Sequence, residues 1–126
     1  MKKTMINITA SAVILAAALF IAGCGEKETE QYGSAITSQE TVSVKEILSE
    51  PESFTDKPVV IEGEIAAVCP SGCWFDLNSD GLEIHVDIKP SGFEIPQKQG
   101  SQAAVEGTVE LTGGQVNFIG TGVRIK

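Results

Sequence analysis

Two six-residue stretches, Val60-Ile61-Glu62-Gly63-Glu64-Ile65 and Ala104-Val105-Glu106-Gly107-Thr108-Val109, share one local pattern, a glycine set in the middle of an alternating apolar run. Glycine weakens a lone strand, so its recurrence mid-strand points to the sharp bends that a small closed barrel requires. The surrounding segments agree with this. Residues 59–68 alternate with period two through their middle, which sets Ile61 and Ile65 inward and Glu62 and Glu64 outward. Residues 74–77 and 82–88 read as hairpin arms around Asn78-Ser79-Asp80-Gly81, whose Asp-Gly step accommodates positive φ. Two final strands, 103–111 and 115–125, meet at Gly113-Gly114. Five strands leave no room for a second sheet, and closure into a barrel removes exposed edges. A short open β-meander with one helix is the alternative. Upstream, Ser43-Val44-Lys45-Glu46 has capping-box spacing, with Val44, Ile47 and Leu48 on one apolar face, so a short helix is expected before Pro51.

The N-terminal region carries a different kind of signal. Lys2 and Lys3 precede an apolar segment that ends in Ile21-Ala22-Gly23-Cys24, the pattern of a secretory signal closed by a lipobox. Cleavage before Cys24 leaves that thiol carrying a thioether-linked diacylglycerol and an amide-linked acyl chain such as palmitate, the two anchors that stable membrane attachment needs. The alternative is an uncleaved anchor helix. Residues 25–41 are mostly Glu, Lys, Thr, Gln, Ser and Gly, which predicts a flexible tether. The expected organisation is therefore a lipoprotein signal peptide (1–23), a tether (24–41) and one all-β domain (42–126). That domain faces an extracytoplasmic compartment, lipid-anchored to the cell membrane or, since Gly25 is not an aspartate retention signal, to an outer membrane.

Charge and cysteine count fit this location. Removing residues 1–23 takes away two lysines and no acids, leaving 7 basic against 17 acidic residues, a formal charge of −10. Such a surface opposes phosphate backbones, so no nucleic-acid partner is expected. With Cys24 consumed by lipid, Cys69 and Cys73 remain as an even pair in a compartment where disulfides persist.

Pro51-Glu52-Ser53-Phe54, Lys57-Pro58-Val59 and the Val60–Ile65 strand resemble the opening of the small extracytoplasmic OB-fold proteins grouped as tRNA-anticodon-binding-like. Cys69-Pro70-Ser71-Gly72-Cys73-Trp74-Phe75, followed by Asp-Gly, Ile84-His85-Val86-Asp87 and Ile95-Pro96, is similar to uncharacterised lipoproteins of that group. The likeness spans about residues 44–126. It implies a five-stranded OB barrel with one short N-terminal helix, and the nucleic-acid label of the group runs against the charge of this chain.

Three chemistries compete for Cys69 and Cys73. Counting parity from Ile65 and from Phe75 leans both thiols toward the core, flanking a three-residue loop, which suits a disulfide that adds local rigidity. A copper or zinc site would add His85, the only histidine, by a spacing similar to that of Sco-type copper chaperones. Hairpin register opposes this, because it sets His85 opposite Trp74 or Asp76 on the outer face. A cycling redox pair would need a cation or helix N-terminus to lower a thiol pKa, and neither is in view.

Trp74, Asp76 and His85 themselves project from the second and third barrel strands, the surface that OB barrels use for ligands. An exposed tryptophan stacks on flat or sugar-like ligands, whereas a packed one would only cover the barrel flank. One histidine, no phosphate loop and no nucleophile elbow leave no complete catalytic constellation, so no enzyme is expected. The chain reads as a membrane-anchored binding or accessory module for a ligand or a cell-envelope partner protein. Metal-handling or thiol-redox activity at Cys69 and Cys73 is the alternative.

Overall fold

The computed structural model describes residues 29–126; the expected signal peptide, Cys24 and the start of the expected tether lie outside the described residues. The elements run β1 (Glu30–Gly33), α1 (Val44–Ser49), β2 (Val59–Val68), β3 (Trp74–Ser79), β4 (Leu82–Asp87), β5 (Gln102–Thr112) and β6 (Gln115–Ile125). Short 3-10 turns at Pro51–Phe54 and Lys89–Ser91 join them. β2 pairs antiparallel with β3 and with β5, β3 with β4, and β5 with β6, while β4 runs parallel to β6. The circuit β2-β3-β4-β6-β5 returns to β2 and closes a five-stranded OB barrel.

Alternation along each strand fills the interior. Ile61, Ile65, Phe75, Leu77, Val86, Val105 and Phe118 are fully buried, each contributing roughly 1.5–3 kcal/mol of transfer free energy. Both mid-strand glycines sit where neighbouring backbone crowds in. A Cβ on Gly63 would meet the Asn78 carbonyl and one on Gly107 the Ile119 carbonyl, so neighbouring backbones approach closer there than any side chain allows. At the foot of the barrel, the Ser43 hydroxyl accepts from the Glu46 N–H at 3.1 Å and the Glu46 carboxylate accepts from the Ser43 N–H at 3.4 Å. That capping box starts α1, which buries Val44 and Ile47 in the core.

One expectation is overturned in its described part. Residues 30–41 are not free tether: β1 pairs antiparallel with Gly122–Ile125 of β6, and Val42 and Glu40 bond to Val60 at the start of β2. The reason lies in backbone bonding, which composition does not report. β4 covers only Asn117–Ile119 of β6, so the rest of that edge is open for β1. The carboxylate of Glu106, 9% exposed, then accepts the N–H groups of Thr37 at 2.8 Å and Ser38 at 2.6 Å. The ordered domain thus reaches back from residue 42 to about residue 30.

Candidate functional site

The hairpin turn decides which side chains meet. Asp80 and Gly81 both take positive φ, 53° and 81°, giving a two-residue turn that pairs Asp76 with His85 and Trp74 with Asp87. Because Phe75, Leu77, Ile84 and Val86 are buried, the intervening Trp74, Asp76, His85 and Asp87 stand on the outer face, half-exposed. The parallel pairing of β4 with β6 extends the row from His85 to Asn117 and from Asp87 to Ile119.

These neighbours hold one another. Nδ1 of His85 lies 2.9 Å from Oδ1 of Asp76, and a carboxylate only accepts, so Nδ1–H donates and the ring is held in place. The indole of Trp74 tilts against the imidazole with ring centroids 5.1 Å apart and planes at 43°. Trp74 is half-exposed and does not belong to the apolar core cluster. Beside this pair an open groove of about 690 Å³ is lined by Leu48, Asp76, Glu83, His85, Asp87, Gln115, Val116 and Asn117. Asp76 and His85 enter the lining and Trp74 does not. Gln115 and Asn117 were not foreseeable from local pattern, since only the long-range β4–β6 pairing brings them to His85.

The two cysteines are placed differently from expectation. Between β2 and β3, Ile65 pairs with Leu77 but Ala67 pairs with Asp76, so Ala66 is an extra residue. This bulge shifts parity by one. Val68 takes the inward position opposite Phe75, and Cys69 turns to the outer face beside Trp74, to whose carbonyl its N–H donates at 2.9 Å. Cys69 and Cys73 are half-exposed free thiols with their sulfurs 3.3 Å apart, so the disulfide expected from parity is not formed in this structure.

The intervening loop is tightly held. Gly72 N–H donates to the Cys69 carbonyl at 2.7 Å, Ile95 N–H to the Gly72 carbonyl at 3.1 Å, and the Gln97 side-chain amide to the Cys69 carbonyl at 2.8 Å. The Ser71 hydroxyl sits between the sulfurs, 3.2 Å from Cys69 and 3.4 Å from Cys73. Hydrogen bonding from the Ser71 hydroxyl and amide, then from the Cys73 thiol and amide, holds the Cys69 pKa down to about 7 against a weaker opposing effect of burial. The source of this activation is neither a cation nor a helix N-terminus but the loop itself. Among the described residues no three His, Cys, Asp or Glu side chains gather as a metal-binding group, so His85 does not join the two thiols.

No family model matches the chain, and no curated protein does. Solved structures do match, among them the hypothetical protein ygiW from E. coli, which is 16% identical, has a TM-score of 0.51 and aligns over 72% of this chain and 100% of its own. At that identity the likeness is one of fold, and it agrees with the OB barrel.

Proposed function

We propose that this chain is an extracytoplasmic binding lipoprotein, anchored by acylated Cys24, whose OB barrel takes a sugar-like ligand on the outer face of β3 and β4. The observation that carries the reading is the braced triplet on that face. Asp76 fixes the His85 ring, and His85 in turn supports one side of the Trp74 indole, which gives a half-exposed aromatic platform flanked by hydrogen-bonding groups. Carboxylates at Asp76, Glu83 and Asp87 and amides at Gln115 and Asn117 suit hydroxyl groups. The same acids repel phosphate, which favours neutral or cationic saccharides over nucleic acid on a fold whose known ligands include both oligosaccharides and oligonucleotides.

Trp74 is the only tryptophan, so its fluorescence reports on the face directly. Titration with neutral and amino-sugar oligosaccharides is expected to change the emission saturably, and a single-stranded oligonucleotide at 150 mM salt is expected to leave it unchanged. Asp76→Asn should weaken saccharide binding while preserving the melting temperature. Trp74→Ala should abolish binding at a stability cost within about 1 kcal/mol. A loss on the order of 3 kcal/mol in Trp74→Ala would instead mark a packing residue and refute the platform.

A further inference from the structure

We infer that Cys69 and Cys73 are an exchangeable dithiol–disulfide pair that reacts with a disulfide of a partner protein outside the cytoplasm, with Cys69 as the attacking sulfur. The inference does not depend on what the Trp74 face binds. Its basis is the arrangement of the loop. Both sulfurs are half-exposed and in contact at 3.3 Å, and the backbone around them is fixed in the dithiol form by bonds to Trp74, Ile88, Ile95 and Gln97. Closing the bond therefore asks little rearrangement of the loop. A disulfide across three residues also removes little chain entropy, so the fold does not depend on keeping it closed.

The two thiols are not equivalent. The Ser71 hydroxyl lies 3.2 Å from the Cys69 sulfur and the Cys73 thiol 3.3 Å from it, and with the Ser71 and Cys73 amides these groups can meet negative charge on Cys69. At pH 7 a thiol whose pKa is about 7 is half ionised, where one at the ordinary 9.0 is ionised to about 1%. Lower basicity takes back part of that fifty-fold gain, leaving attack by Cys69 about sixfold faster at neutral pH.

The exchange balances without a further reactant. Cys69 thiolate attacks one sulfur of the partner's disulfide; a Cys69–partner bond forms as the partner's S–S bond breaks, and the released thiolate takes a proton from water. Cys73 then gives its proton to water and attacks the Cys69 sulfur, closing the Cys69–Cys73 bond and releasing the partner's second thiolate. Two electrons pass from the pair to the partner, and the reverse sequence oxidises a partner dithiol.

The test uses the full-length protein in detergent, reduced and freed of reductant, with each cysteine followed by mass spectrometry after alkylation. Cys69 is expected to alkylate ahead of Cys73, with a rate inflection near pH 7. In Ser71→Ala, an exposed position whose loss leaves the circular-dichroism spectrum unchanged, that inflection should move up and the rate at pH 7 should fall severalfold. With oxidised glutathione as the probe disulfide, the wild type should close its own disulfide and keep no glutathione. Cys73→Ser should retain one glutathione on Cys69, and Cys69→Ser should retain none at the same time point. A pair that native protein keeps oxidised in excess dithiothreitol would be a structural staple and would overturn the inference. So would faster reaction at Cys73, or zinc or copper bound stoichiometrically by the thiols so as to block alkylation.

Discussion

Gly72 is where the geometry of the thiol loop is most exposed to a single change. Its φ is 78°, and a Cβ built there would press into the backbone carbonyl of Ile95 and crowd Glu94. Ile95 cannot step aside freely, because its side chain is buried in the core. Gly72→Ala should therefore cost about 1–2 kcal/mol for the left-handed backbone. Breaking the bond from Ile95 N–H to the Gly72 carbonyl should add about 1 kcal/mol. A loss of about 2–3 kcal/mol lowers the melting temperature of a domain this size by roughly 10–20 °C. Gly81→Ala supplies the internal control. Gly81 has nearly the same φ, 81°, but nothing within 4 Å of its Cβ position, so only the backbone cost of about 1–2 kcal/mol remains. Thermal melts of the two variants, alongside the alkylation rates of Cys69 and Cys73, measure the difference. Equal losses in both would mean that the Ile95 contact does not hold the loop, and the account of a pre-set thiol pair would go with it.

Three further expectations come from other parts of the molecule. Glu106→Ala removes the acceptor of the Thr37 and Ser38 amides and should cost about 2 kcal/mol, seen as lost hydrogen-exchange protection across residues 30–42 with the barrel amides kept; uniform loss would contradict it. The bond from the Tyr32 hydroxyl to Glu30, with Lys98 beside it, lowers the Glu30 pKa below 4.5 and raises that of Tyr32 above 10.0. The docking of β1 from this pair is thus complete between those values, lost as pH falls through the lowered carboxyl pKa and lost again as pH rises through the raised phenol pKa, which NMR shifts of Tyr32 would follow. Cys24→Ser should release the protein from the membrane fraction or leave unprocessed precursor, and wild-type protein that stays soluble after lysis would end the lipoprotein reading.

The barrel was legible because its signals are local. Alternation through the middle of residues 59–68, the Asp80-Gly81 turn and the capping box at Ser43 each act within a few residues of themselves, and each appears in the structure where the pattern set it. What local pattern missed was carried by distant backbone. β1 binds an edge that exists only because β4 is short, and Asn117 reaches His85 only through the parallel β4–β6 ladder. Glu106 occupies the place of the exposed Glu62 in the shared six-residue pattern, yet it is buried and gathers the amides of a segment many residues upstream.

The bulge at Ala66 has the largest chemical effect of these. Without it, Cys69 would keep the parity of Ile65 and point into the barrel, where an apolar site raises a thiol's pKa and hides it from reagents. One extra residue instead puts Val68 inward and turns Cys69 onto the row of Trp74 and Asp87. The same step delivers its sulfur to the Ser71 hydroxyl and to Cys73, so exposure, contact and activation share one local cause. The loop that carries the thiols is also the loop that borders the ligand face of an OB barrel. The proposed binding at Trp74 and the proposed exchange at Cys69 are therefore separable by mutation yet adjacent in space, the Cys69 N–H donating to the Trp74 carbonyl.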